Sequence, residues 1–169
     1  LSSKLRAREI IETSIEASEG GIMVLPRFAP WQNYVFESIN PKAGKIKFVV
    51  FPSNRIGYNW QCVPDKPGGF GQRKSVPKEW YGLKDEDIQR VSGVKTATFC
   101  HANGFIGGAM TLEDAISMVR KTISKNQNQI LLLFFIKNIN KEYTISKLYA
   151  NMYLMKKRYY GGKHERKNI

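Results

Sequence analysis

The sequence predicts an α/β (α+β) fold, a mixed sheet with flanking helices, and three observations predict it. Apolar residues step at helical spacing early in the chain (Leu5, Ile10, Ile11, Ile15) and again later (Leu112, Ala115, Ile116, Val119, Ile123), the mark of amphipathic helices. Between them lie runs rich in β-branched and aromatic residues, Ile46 to Phe51 and Tyr58 to Pro64, which suit strands. Hydrophobic residues at 42% and aromatic residues at 12% supply enough apolar material for a packed core.

In chain order, the first helix spans Leu5 to Ser18, with Arg8 and Glu12 one turn apart, and Gly20-Gly21 stop it. Ile22 to Leu25 is a short strand that Pro26 ends, and Ala29-Pro30-Trp31 opens a turn or short helix reaching Glu37. Asn40-Pro41-Lys42-Ala43-Gly44 reads as a hairpin turn before the strand Ile46 to Phe51, with Tyr58 to Pro64 as its antiparallel neighbour. Pro64 to Gly71 and Pro77 to Leu83 read as loops, the second bearing aromatic rings. Asp85 to Val91 forms a short helix whose acidic first turn suits its dipole. Lys95 to His101 is a strand, and a capping box of Thr111 and Asp114 starts the last helix.

At 169 residues the chain suits one domain with a tail. Twenty-seven Lys and Arg against 14 Asp and Glu leave a net charge of +13, which favours polyanionic partners. That charge is uneven: from Ser124 onward ten basic residues face two acidic ones, so the tail holds about +8 and the body about +5. Two cysteines, Cys62 and Cys100, make no disulfide framework and point to a reducing compartment. No apolar run reaches the length of a membrane span, Ile130 to Ile136 being too short. The chain starts at Leu1 with no leader to read, as a fragment would.

Composition changes after Ile123. About two-thirds of Ser124 to Ile169 is Lys, Asn, Ile, Tyr, Phe and Leu, with no Pro, Cys, Trp, Val or Asp. The domain boundary therefore separates a body, 1–123, from a basic tail, 124–169. The tail reads as a solvated charged segment, whether a lineage-specific extension or translated non-coding sequence. The alternative is an RNA-binding tail, in which Lys156, Lys157, Arg158, Lys163 and Arg166 interleave with the rings of Tyr159 and Tyr160.

The most informative stretch runs from Phe99 to Gly108 and on to Thr111-Leu112-Glu113-Asp114. It reads as a strand ending in a histidine, a glycine-rich loop and the capped start of a helix. That order aims loop amides and a helix N-terminus at one spot, which suits an anion such as phosphate. Adjacent strand residues point to opposite faces, so Cys100 and His101 are not expected to share a metal. His101 can donate a hydrogen bond to a phosphoryl oxygen or take a proton, or else hold the loop as a structural histidine. Gly104, Gly107 and Gly108 either offer unobstructed amides to an anion or simply make a tight turn.

Other candidates carry less. Arg73 and Lys74, after the glycine-rich Pro67 to Gly71, either clamp a phosphate or sit in a solvated loop. Trp80 either stacks on a base or packs over the sheet, whereas Trp31 and Trp60 read as core. Asp85, Glu86 and Asp87 tempt as metal ligands, but a helix's first turn accounts for them. His164 stands in the tail without a partner nearby. No Cys/His spacing suits zinc, and no Ser-His-Asp arrangement has support.

Several blocks, taken in order, carry a family resemblance: Trp60-Gln61-Cys62-Val63-Pro64, Phe70-Gly71-Gln72-Arg73-Lys74, Val76 through Trp80 to Glu86, Ser92-Gly93-Val94, and Phe99 to Gly108. Together they resemble the C-terminal half of the Myg-type (melanocyte proliferating gene) family, metal-dependent hydrolases related to the DHH phosphoesterases. Ala29-Pro30-Trp31 and the Leu5 to Ser18 helix fit the same pattern. The resemblance covers Leu5 to Ile123 and leaves out the tail.

It implies an α/β fold like the C-terminal substrate-binding domain of DHH-type phosphoesterases. It also implies a family whose full-length members include a 3′-to-5′ RNA exonuclease of nucleus and mitochondria. In that architecture an N-terminal domain binds a divalent metal, manganese or magnesium, and the C-terminal domain closes over the substrate with its glycine-rich histidine motif facing the cleft. His101, Gly104, Gly107 and Gly108 match that motif, and Arg73 matches the arginine ahead of the Pro-x-x-Trp block, so these five are the expected substrate-binding residues. The metal-binding motifs have no counterpart in this chain, and no catalytic or metal-ligating residue is expected in it. Tyr81 stands where the resemblance calls for arginine, removing a phosphate contact, and Asn103 stands where serine is usual. The resulting expectation is the substrate-binding portion of a metal-dependent phosphodiesterase. Its partners would be RNA or another phosphate-bearing substrate and a separate N-terminal catalytic domain, with no membrane. A nucleic-acid-binding module without a reaction, and an inactive fragment, are the competing readings.

Overall fold

The structure, a computed structural model, describes residues 3–124. The readings of the tail, His164 and its basic cluster included, lie outside the described residues. Helix α1 (Ser3–Glu16) forms where the apolar stripe predicts it, with Ile11 and Ile15 fully buried. Leu5, expected on that stripe, is 54% exposed, because the stripe meets the core only along its last two turns. Glu12 turns to Ser38, whose hydroxyl donates to its carboxylate at 2.8 Å.

Strand β1 (Ile22–Val24) leads through helix α2 (Gln32–Glu37) and a 3-10 turn (Ala43–Lys45) to β2 (Phe48–Pro52). The two strands pair in parallel, Ile22 opposite Phe48. Asn40 to Gly44 is therefore part of a crossover and not the hairpin turn that its composition predicted. The local turn chemistry does form, since Asn40 Oδ1 accepts the Lys42 N–H at 2.9 Å. It closes on α1 instead of a partner strand: Asn40 Nδ2 donates to Glu16 at 2.7 Å and Lys42 pairs with the same carboxylate at 3.4 Å.

Strand β3 (Tyr58–Cys62) pairs antiparallel with β2, as predicted. Helix α3 (Asp85–Ser92) and strand β4 (Ala97–Cys100) also follow the sequence reading. The larger correction comes next. Ile106–Ala109 is a strand, β5, and not part of a glycine loop. It inserts between β3 and β4, antiparallel to both, and the sheet order becomes β1-β2-β3-β5-β4. Residues 112–124 are helical (α4), begun by Thr111 Oγ1 accepting the Asp114 N–H at 3.2 Å. The Asp114 carboxylate accepts from Thr96 Oγ1 at 2.6 Å. Along the outer side of β4 runs segment 82–84, where Lys84 bridges Phe99 and the Leu83 carbonyl accepts the Cys100 N–H at 2.9 Å.

Two cores sit on the two faces of the sheet. Phe48, Val50, Trp60, Cys62 and Cys100 pack with Ile88 of α3 and with Ala115, Met118 and Val119 of α4. On the other face Met23, Val49 and Phe51 pack with Ile11 and Ile15 of α1 and with Trp31 and Val35. All three tryptophans are buried, which excludes base stacking by Trp80 at 4% exposure. No helix among the described residues is long and apolar enough to cross a membrane.

Cys62 and Cys100 are unbridged and buried. Burial pushes the Cys62 thiol up to about 12 and the Cys100 thiol to about 11, against an ordinary value of 9.0. The native state keeps protons that the unfolded chain releases above its ordinary thiol pKa. The associated stability is complete below that pH and drains as pH rises through 11 and 12. Thermal melts across pH 8 to 11 should therefore show a falling Tm, and the fall should be shallower in Cys62→Ala.

Candidate functional site

The site begins with alternation in β3. Trp60 and Cys62 point into one core, so Asn59 and Gln61 point to the opposite face. Strand register then lines up Met23, Val49, Gln61 and Ile106 across four strands on that second face. The His101 N–H donates to the Ile106 carbonyl at 2.9 Å, which extends the row onto β4. A parallel row holds Phe51, Asn59, Gly108 and Phe99. Helices α1 and α2 cover the β1–β2 end of these rows, where Met23, Val49 and Phe51 are buried. Toward β4 the cover ends: Asn59, Gln61, Phe99 and Ile106 are half-buried and His101 is exposed. The result is an open sheet floor, polar at two amides and ending in an imidazole.

The turn 101–105 engages that imidazole through its own backbone. The Asn103 N–H donates to His101 Nδ1 at 3.2 Å, which in the neutral ring leaves the proton on Nε2. Phe105 packs against the ring at 4.7 Å between centroids. Gly104 has φ +68°, and a Cβ there would lie 2.2 Å from the Tyr81 ring. Tyr81, the departure from arginine, thus braces the turn, while the Cys62 thiol donates to the Gly104 carbonyl at 3.5 Å.

Of the five expected residues, the fold brings His101 and Gly104 together. Gly107 and Gly108 lie in β5, whose backbone is paired on both sides, so they do not form a cradle of open amides. The four residues of β5 at ~3.3 Å each span about 13 Å between the turn and the segment leading to Thr111, and the helix start and His101 do not converge on one anion. Gly108 instead lies buried beside the Asn59 carboxamide and the Phe99 ring, and Gly107 faces Trp60. Arg73 Nη1 donates to the Ala43 carbonyl at 2.7 Å and the Ile46 carbonyl at 2.9 Å, with its guanidinium 5.1 Å from the Phe36 ring centre. The expected phosphate clamp is engaged in tying the loop after β3 to the turn before β2. Its neighbour Lys74 has its pKa lowered by burial and by Lys47.

Sequence reasoning missed Asn59 and Gln61 as floor residues. The signal was present in the polar–apolar alternation Asn59-Trp60-Gln61-Cys62, which reads equally well as a solvent-facing edge. Beside Gln61 lies a cavity of about 330 Å³ lined also by Phe28, Pro30, Trp31, Gln32 and Asn33. Asp85, Glu86 and Asp87 occupy the first turn of α3, and Asp87 pairs with Arg90 at 2.9 Å. Among the described residues no three His, Cys, Asp or Glu side chains are grouped to hold a metal ion. With both thiols protonated at neutral pH, the described donors do not fit a divalent cation.

Comparison with known proteins adds a lineage. Residues 1–123 match the family described as MYG1_exonuc, Uncharacterised protein family (UPF0160). The chain is 35% identical over 136 residues to the MYG1 protein of Dictyostelium discoideum, covering 76% of this chain and 41% of that protein. It is 35% identical over 132 residues to the MYG1 exonuclease of Homo sapiens (73% and 35% covered). With the MYG1 exonuclease of Mus musculus the identity is 34% over 132 residues (73% and 34% covered). The chain thus spans about a third to two-fifths of these curated relatives. No solved structure matches it.

Proposed function

This chain belongs to the MYG1_exonuc family (UPF0160), and from that membership we propose that its body is the substrate-holding portion of a metal-dependent phosphodiesterase acting on RNA. Mammalian relatives named exonucleases support the reaction class. Resemblance to the C-terminal half of Myg-type hydrolases supports the role. A bound manganese or magnesium would activate water for attack on phosphorus. The described residues do not fit that ion, so the hydrolytic step is assigned to sequence outside them. The nuclear and mitochondrial setting belongs to the same proposal.

The observation that carries the reading is His101, exposed at the end of an open floor with Nδ1 occupied by the Asn103 amide. Its Nε2–H is poised to donate to a non-bridging phosphate oxygen.

Fluorescence anisotropy of a labelled short oligoribonucleotide tests this. The chain should bind weakly, lose roughly tenfold in His101→Ala, and release no cleavage product with added manganese. Metal-dependent cleavage by this chain alone, or affinity unchanged in His101→Ala, would overturn the reading. The tail's ten basic against two acidic residues favour a second reading, a binding module driven by the tail. On that reading, deletion of residues 124–169 should abolish binding together with its salt dependence.

A further inference from the structure

The cavity of about 330 Å³ between residues 28–33 and β3 is not used by the phosphate reading. None of its six lining residues carries a charge. Gln32, Asn33 and Gln61 contribute three carboxamides, each with both donors and acceptors. Phe28 is 56% exposed and is held edge-on by Phe51, with ring centres 5.3 Å apart and an interplanar angle of 63°. Trp31, at 2% exposure, forms a fixed back wall. A bare phosphate or carboxylate would meet no cation here. A flat heteroaromatic ring with its own donors and acceptors would meet amides to pair with and an aromatic face to stack on.

We propose that this cavity is a nucleobase subsite, receiving the base of the nucleotide whose phosphate is held at His101. The inference rests on the phosphate reading of His101 and extends it to the substrate's other half. Gln61 is the link, because it lines the cavity and also stands in the row that ends at His101. Two strand spacings of ~4.8 Å put the two residues about 10 Å apart. That is comparable to the distance between the far edge of a base and the phosphate of the same nucleotide. The carboxamides would read the base edge in the way that single-stranded RNA is read, with the ring laid against a side-chain face.

The probes are free nucleosides, which lack phosphate, and ribose 5-phosphate, which lacks a base. Ligand-observed NMR titration on the full chain should show nucleoside binding that weakens about tenfold in Asn33→Ala and in Gln61→Ala. Ribose 5-phosphate binding should be insensitive to both substitutions and weakened in His101→Ala. Asn33 is exposed on α2, so its variant keeps the fold, and thermal melts verify this for both variants. No nucleoside binding, or binding equal in wild type and both variants, overturns the base subsite. Nucleoside binding that depends on Asn33 and Gln61, with sugar-phosphate binding indifferent to His101→Ala, keeps the base subsite and overturns the phosphate reading.

Discussion

Gly107→Ala is expected to lower the melting temperature by about 7 °C. A Cβ at this position would lie 2.2 Å from Trp60 Cζ2 and 2.6 Å from both Trp60 Cε2 and the Phe99 carbonyl oxygen. The oxygen is backbone of the neighbouring strand and the indole is fully buried, so neither can move aside cheaply. Overpacking of this kind costs about 2–3 kcal/mol, more than the ~0.5–1 kcal/mol gained by restricting an unfolded glycine. In a body of this size that difference corresponds to the stated shift. Gly44→Ala is the matched control. Its Cβ would meet nothing within 4 Å and its φ is not positive, so the melting temperature should hold or rise slightly. Differential scanning calorimetry of the two variants decides the matter. Equal shifts would count against the packing account.

Trp60→Ala should cost more, about 4 kcal/mol, a large share of the stability of an ordinary domain. The indole is fully buried, stands edge-to-face with Phe48 at 6.4 Å, and directs its N–H to the Met118 sulfur at 3.4 Å. It thereby joins the middle of the sheet to α4, and its removal leaves a cavity that three elements line. Urea melts should show the midpoint falling accordingly. The pair should also be non-additive. In the Trp60→Ala background Gly107→Ala should cost less than in wild type, because the ring contact is gone, yet still cost something, because the Phe99 oxygen remains at 2.6 Å. Strict additivity would show that the two positions do not meet.

These two residues also show what the sequence could convey. Strands β2 and β3 were legible because Phe48-Val49-Val50-Phe51 and Tyr58-Asn59-Trp60 carry β-branched and aromatic signals locally. Helix α3 was legible from three acids in its first turn. Strand β5 was not. Ile106-Gly107-Gly108-Ala109 has the composition of a turn, and its glycines are required by a tryptophan 47 positions away and by the adjoining strand. Long-range contact overrode local preference there. The parallel pairing of β1 with β2 was hidden for a related reason, since the turn chemistry at Asn40 shows that the chain bends but not what it returns to.

The candidate site was legible in part. That Cys100 and His101 face opposite ways was legible, because alternation along a strand is a local property; which of the two is exposed was not. The floor that it belongs to depends on register between non-adjacent strands, and register is not written in any one segment. Arg73 shows the converse. Its chemistry suits an anion, but two carbonyls and an aromatic face in its own fold engage it.

Segment 82–84, which lies against the outer side of β4, has a consequence for self-association. An unprotected edge strand offers its backbone as a template on which another polypeptide can add, the usual beginning of aggregation or exchange between protomers. Here that template is already taken by Leu83 and Lys84, and Trp80 anchors the segment just upstream. Any further chain growing the sheet at this border would first have to strip the segment away. The other border, β1, is only three residues long, too short a foothold for stable growth.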